Sequence, residues 1–190
     1  MNYLAHAFLS GNDPGLLVGN FVADHIRGNE LADYSNEIRN GIMLHRRIDS
    51  FTDSHNGFRK AKRLFYDGFE RHSGILVDIY FDHLLARDFK NYAAVPLDAF
   101  SRNVYAVYEK HRPILPAGSG RFLDYLIRNN VYQSYATEEG IGTVLNHLSH
   151  RIRHGVELDE SIYLFRSKKS ELETQFIAFM ADLRREFGLT

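Results

Sequence analysis

Apolar residues along this chain return every three or four positions in nearly every stretch, whereas alternating runs rich in Val, Ile and Thr are absent. A 3.6-residue period without a 2-residue period predicts an all-α fold. Turn and cap residues divide the chain further. A short helix is expected over 3–9, ended by Gly11-Asn12-Asp13-Pro14-Gly15, and a second from 16 that fades between 24 and 29. Ser35 offers an N-cap for a long helix over 36–54, followed by a basic amphipathic segment over 58–69. Further helices are expected over 75–92, from 96 to a stop before 113, over 121–129 after a Pro-Ala-Gly-Ser-Gly loop, from the Thr137 cap to 153, and over 159–187. Pro113 sets its boundary because proline disfavours helical geometry in the residue before it. No internal repeat, low-complexity tract or compositional break divides the sequence, so a single helical-bundle domain over 1–190 is expected.

The informative positions are those where polar residues interrupt apolar faces. On 36–54, Ile38, Ile42, His45, Asp49 and Thr52 share one face with Asp53 at its margin, while Leu44, Ile48 and Phe51 line another. A His and an Asp at i, i+4 suit one shared metal ion. The alternative for these acids is a helix surface paired with Arg46 or Arg47. On 75–92, Asp78, Asp82, Leu85 and Phe89 form one stripe in a helix apolar nearly all round. Two buried carboxylates stay ionised there only beside a cation, whether a metal ion or an arginine such as Arg87. His6 interrupts Leu4-Ala5-His6-Ala7-Phe8-Leu9, and Asp24 ends an apolar run just before His25, Arg27 and Gly28. Taken singly, His6 reads as a hydrogen-bonded core histidine and Asp24 as a turn or cap residue. His55, His72 and His111 are expected to face solvent near charged helix ends, and His147, His150 and His154 to form a basic surface with Arg151 and Arg153.

Composition narrows the chemistry. The 190 residues include no Cys, which excludes disulfides, thiolate metal sites and a cysteine nucleophile. Any metal must then be held by carboxylates and by some of the 10 His. Lys+Arg 23 against Asp+Glu 24 give a net charge of −1, without the positive field that a general nucleic-acid binder needs. No apolar run approaches the roughly 20 residues of a membrane span, and the N-terminus lacks a basic start, so a cytoplasmic location is expected.

Four blocks carry a resemblance: Met1-Asn2-x-Leu4-Ala5-His6, Gly19-Asn20-x-x-Ala23-Asp24-x-x-Arg27-Gly28, Gly41-Ile42-x-x-His45-Arg46-Arg47-Ile48-Asp49-x-x-Thr52-Asp53 and Asp78-x-x-x-Asp82-His83-x-Leu85-Ala86-Arg87. Together they resemble the acyl carrier protein phosphodiesterases, a family similar to the HD-type metal phosphohydrolases. The resemblance implies an HD-domain-like helical bundle that hydrolyses the phosphodiester between 4′-phosphopantetheine and a serine of holo acyl carrier protein. It implies a divalent cofactor, Mn²⁺ before Mg²⁺ or Fe²⁺, with His6, Asp24, His45, Asp49, Asp82 and His83 in or beside the metal shell. Asp78 is then a supporting residue or general acid, Asp53 a further catalytic candidate, and Arg27 and Arg46 donors to the phosphodiester. The acidic carrier protein is expected to dock on Arg59, Lys60, Lys62 and Arg63, with no nucleic-acid or membrane partner. Two other functions fit the residues: a phosphohydrolase acting on a nucleotide or small phosphodiester, and a non-enzymatic helical binding protein with a structural His/Asp core.

Overall fold

Helix starts are written plainly in the local sequence. Asn2 accepts from the Tyr3 amide, Asp13 Oδ1 from Leu16 N at 2.9 Å with Pro14 at the first helical position, and Thr137 Oγ1 from Gly140 N at 3.1 Å. Each cap satisfies an amide that the helix itself leaves without a partner. The computed structural model describes residues 2–152 and 156–188. Among them are eleven α-helices and no strand: α1 (Tyr3–Leu9), α2 (Pro14–Val22), α3 (Asn36–Ser54), α4 (Asn56–Arg63), α5 (Tyr66–Phe69), α6 (Ser73–Arg87), α7 (Leu97–Lys110), α8 (Ala117–Arg128), α9 (Val131–Ser134), α10 (Glu138–Ser149) and α11 (Ser161–Glu186). The all-α class follows the helical period of the sequence. Arg153 and His154, expected on a basic surface, lie outside the described residues.

α6 forms the axis of the core. Leu76, Val77 and the run Ile79 to Ala86 are all buried, and α1, α4, α10 and α11 pack around them. Tyr80 stacks between Phe65 and Phe165 at ring distances of 5.1 and 4.5 Å, with its hydroxyl 2.7 Å from Ser161 Oγ. A buried tyrosine in such a stack needs a partner for its one polar atom, and Ser161 supplies it. Asp82 anchors α1 on this axis. Its two oxygens accept from the Leu4 and Ala5 amides at 2.8 and 3.3 Å, so a side chain from α6 caps the start of α1.

α2 and α3 approach so closely that their backbones touch. A Cβ at Gly19 would lie 2.0 Å from the Ile38 carbonyl oxygen, and one at Gly41 would lie 2.5 Å from that of Leu16. Any side chain at either position would drive the two helices apart. The absence of a Cβ therefore brings Asn20, next to Gly19, against His45, one turn beyond Gly41.

α6 ends at Arg87 rather than 92 and α10 at Ser149 rather than 153, the short α9 is not among the expected helices, and two further departures shape the surroundings of the site. The basic segment does not continue to 69: α4 ends at Arg63, and Asp67 and Gly68 leave helical geometry, with Gly68 at φ 84°. α8 begins at Ala117 rather than 121, because Pro116 ends the extended approach and Ala-Gly-Ser-Gly forms the first helical turn instead of a loop. A Cβ at Gly118 would meet the His25 ring at 2.4 Å, which is why a small residue stands at this turn.

Candidate metal centre

The centre is built on three helices. α1 carries His6, α2 carries Asn20 and leads into Asp24, and α3 carries His45 and Asp49 one turn apart. His6, Asn20 and His45 are buried, whereas the side chains of Asp24 and Asp49 are 54% and 49% exposed, so the cluster opens on one side to solvent.

Hydrogen bonds fix the tautomers. Asn20 Nδ2 donates to the His6 carbonyl oxygen at 3.0 Å and to Ser10 Oγ at 3.0 Å. A carbonyl oxygen only accepts, so the amide orientation follows, and Asn20 Oδ1 faces His6 Nδ1 at 2.8 Å and His45 Nδ1 at 2.9 Å. Both Nδ1 atoms are therefore donors, His45 Nδ1 also reaching the Asn20 main-chain oxygen at 3.0 Å. In the neutral imidazoles both Nε2 atoms then carry lone pairs. Those atoms converge. His6 Nε2 lies 3.3 Å from Asp49 Oδ1, and His45 Nε2 lies 3.1 Å from Asp49 Oδ2 and 3.2 Å from Asp24 Oδ1. Neutral imidazole nitrogens facing carboxylate oxygens at these distances are repelled, which favours a second proton on His45, whose Nε2 faces two carboxylates, or a cation between the groups.

Electrostatics separates the two rings. For His45 burial alone lowers the pKa, but hydrogen bonds to Asp24 and Asp49 and their charges outweigh it and push it to about 9. Burial dominates for His6 and holds it below the usual histidine range, with the charge of His45 acting in the same direction against the bond to Asp49. Burial opposes ionisation of Asp49, yet the bonds and charges of His45 and His6 hold it far below the usual carboxylate range; Asp24 is likewise lowered, chiefly by its bond to His45. His6, His45 and Asp49 offer three ligand atoms within 4.8 Å of one another. They can hold a metal ion: two imidazole nitrogens, oriented by Asn20, and carboxylate oxygens are a donor set for a divalent cation.

The cluster forms part of a cleft of about 830 Å³ whose walls come from α1, α3, α6, α8, α9 and α10. Asp78 lines it from α6, half-buried. The other candidate residues lie elsewhere. Asp82 is fully buried at the start of α1, and burial pushes its carboxyl up to about 7, with Asp78 adding to the rise and the Leu4 and Ala5 amides opposing it. His83 is also buried, its Nδ1 2.7 Å from the Tyr135 carbonyl oxygen and its ring edge-on to Phe165. Neither residue lines the cleft. The exposed Arg46 approaches Met43 Sδ at 3.8 Å, and the exposed Arg27 follows the short 3₁₀ turn that carries Asp24, its amide donating to Glu30. Asp53 is exposed near the end of α3, where its carbonyl oxygen accepts from Arg59. These three residues are not among the described residues that line the cleft.

The sequence reading did not single out Asn20, although Asn20 and Asp24 stand at i, i+4 like His45 and Asp49. Nor did it single out Arg121, which the early start of α8 carries into the cleft wall. His55, expected in solvent, packs against Phe51 and Phe179 and bonds Asp182 at 3.2 Å. No helix among the described residues is long and apolar enough to cross a membrane.

The profile of the family described as acyl carrier protein phosphodiesterase matches residues 1–183. A protein of that name from Serratia proteamaculans is 30% identical over 98% of this chain and 97% of its own length. Its namesake from Klebsiella pneumoniae is 34% identical over 97% and 96%, and that from Pectobacterium atrosepticum is 36% identical over 80% and 79%. No solved structure matches the chain. A family profile that spans nearly the whole chain, together with relatives of equal length, places the chain in the acyl carrier protein phosphodiesterase family.

Proposed function

We propose that this chain hydrolyses the phosphodiester joining 4′-phosphopantetheine to a serine of holo acyl carrier protein, using a divalent ion held by His6, His45 and Asp49. The observation that supports this reading most is the convergence of the two Nε2 atoms on Asp49 at the edge of an open cleft. In the reaction the oxygen of water bonds to phosphorus, the bond from phosphorus to the serine oxygen breaks, and the serine oxygen takes a proton. The products are apo carrier protein and free 4′-phosphopantetheine. A divalent ion supplies acidification of water and neutralisation of phosphoryl charge when bound. Nitrogen and oxygen donors without sulfur suit Mn²⁺, Fe²⁺ or Mg²⁺, with Mn²⁺ the preferred reading.

The protein's own groups divide the remaining work. Asn20 holds both rings with Nε2 toward Asp49. Asp24, ionised at neutral pH and exposed at the cleft, takes the proton of the attacking water. Asp78, on the α6 wall, is the candidate donor to the serine oxygen, which leaves poorly as an alkoxide. The carrier docks on α4, where Arg59, Lys60 and Arg63 are exposed. Support for that surface is its proximity to the cleft: Lys62 Nζ approaches Gly74, the neighbour of the cleft residue Ile75. The test is mass spectrometry of holo carrier protein incubated with Mn²⁺-loaded enzyme. Loss of the phosphopantetheine mass is expected; an unchanged carrier beside hydrolysis of a nucleotide diester would move the function to small phosphodiesters.

A further inference from the structure

The metal centre leaves two arginines of the cleft unused. Arg121 projects from the first turns of α8, and Arg151 lies just beyond α10. Several other arginines pair with acids: Arg87 with Asp88 and Glu173, Arg112 with Glu109 and Asp124, and Arg166 with Glu138. Arg121 and Arg151 take part in none of the ion pairs among the described residues, although Asp24, Asp49 and Asp78 line the same cleft. Arg151 shares the cleft wall with Asp24, Tyr3 and Tyr125, and its charge reaches the hydroxyls of both tyrosines, while that of Asp24 reaches Tyr3. Two exposed guanidiniums without an ion pair among the described residues, on the wall of the cleft that the His/Asp cluster also lines, suit an anion with several oxygens.

We propose that Arg121 and Arg151 form a phosphoryl clamp that takes the non-bridging oxygens of the substrate while the His/Asp centre addresses the reacting side. The substrate assignment rests on the function proposed above; the anion site does not. Arg27 and Arg46, expected from the sequence to serve this role, lie outside the cleft wall. Hydrolysis turns a singly charged diester into a more highly charged monoester. The clamp therefore holds the product side of the reaction more strongly than the substrate, and phosphomonoesters and inorganic phosphate act as inhibitors.

The test uses the full chain, loaded with Mn²⁺, in wild-type form and as Arg121→Ala, Arg151→Ala, and the Gln variants of both positions should an Ala variant fail to fold. Three quantities are read: bound metal, the Kd for inorganic phosphate, and kcat/KM on holo carrier protein. Metal content is expected to stay unchanged, while each variant weakens phosphate about 10-fold and lowers kcat/KM about 30-fold, the range of one charge-assisted hydrogen bond. Arg151→Lys is expected to recover part of both losses. Wild-type phosphate affinity together with wild-type kcat/KM in folded, metal-loaded variants overturns the clamp and leaves the proposed activity standing. Weakened phosphate binding in the variants of an enzyme that does not cleave holo carrier protein upholds the clamp and overturns the substrate.

Discussion

α3 and α6 each present a histidine and an aspartate among buried apolar positions, yet the protein uses the two pairs in opposite ways. On α3 the pair is His45 and Asp49, one turn apart, so both side chains leave the helix in the same direction and meet His6 at a solvent-open edge. On α6 the pair is Asp82 and His83, adjacent in sequence, and successive residues on a helix point about 100° apart. Asp82 turns toward the first amides of α1 and His83 toward the Tyr135 carbonyl, each meeting main chain. Spacing decides whether two polar side chains act together, and exposure decides whether they remain free for a ligand. Asp82 still matters to the centre, because it seats the helix that carries His6.

The comparison can be broken most severely at α3. His45→Ala is expected to abolish stoichiometric metal binding and to lower hydrolysis about 1,000-fold or more, the loss of several kcal/mol of charge stabilisation. His83→Ala in the same assays is expected to retain the ion; metal analysis of both variants checks this. Asp82→Ala attacks the other half. It leaves two buried amides unsatisfied, which costs about 2–4 kcal/mol, and for a chain of this size lowers Tm by about 4–16 °C in a thermal melt. A smaller effect is expected at Asn20. Asn20→Ala frees both rings to rotate or change tautomer and weakens metal binding about 10–100-fold, with the fold retained in circular dichroism.

These elements also show what could be read from the sequence alone. The helix from Asn36 to Ser54, its Ser35 cap and the shared face of His45 and Asp49 are local properties of one segment. Local periodicity and capping were therefore sufficient. The meeting of that face with His6 and Asn20 depends on the glycine contact between α2 and α3, which no single segment encodes. The same holds for Asp82: its stripe with Asp78 is legible, but its partner is the start of a helix 77–78 residues away in sequence. Arg121 was hidden by a turn-like Pro-Ala-Gly-Ser-Gly composition that folds as a helix start because it packs on His25.

Acidity offers a gentler probe. The ion-free protein holds a proton on His45 to about pH 9, above the usual value of 6.5. A group whose pKa is raised by folding stabilises fully below its unfolded pKa, and that contribution is lost as pH rises through the folded one. Ion-free protein is therefore expected to melt lower at pH 9.5 than at pH 7, a drop absent from the ion-loaded protein, in which His45 has already lost its proton. Metal binding at pH 7 is expected to release about one proton, since His6 and both aspartates are already deprotonated, and affinity is expected to rise about tenfold per pH unit before levelling near pH 9. Calorimetry in buffers of different ionisation enthalpy counts that proton. The smallest effect is expected at the docking surface: charge reversal at Arg59 and Lys62 raises KM for the carrier protein several-fold and leaves hydrolysis of a small phosphodiester unchanged.

The central claim is the location of the ion, and anomalous diffraction from crystals grown with Mn²⁺ locates it directly. The account predicts a manganese peak within direct coordination distance, roughly 2 Å, of His6 Nε2, His45 Nε2 and an Asp49 oxygen. A peak on Asp82 or His83, with none between His6 and His45, would contradict it.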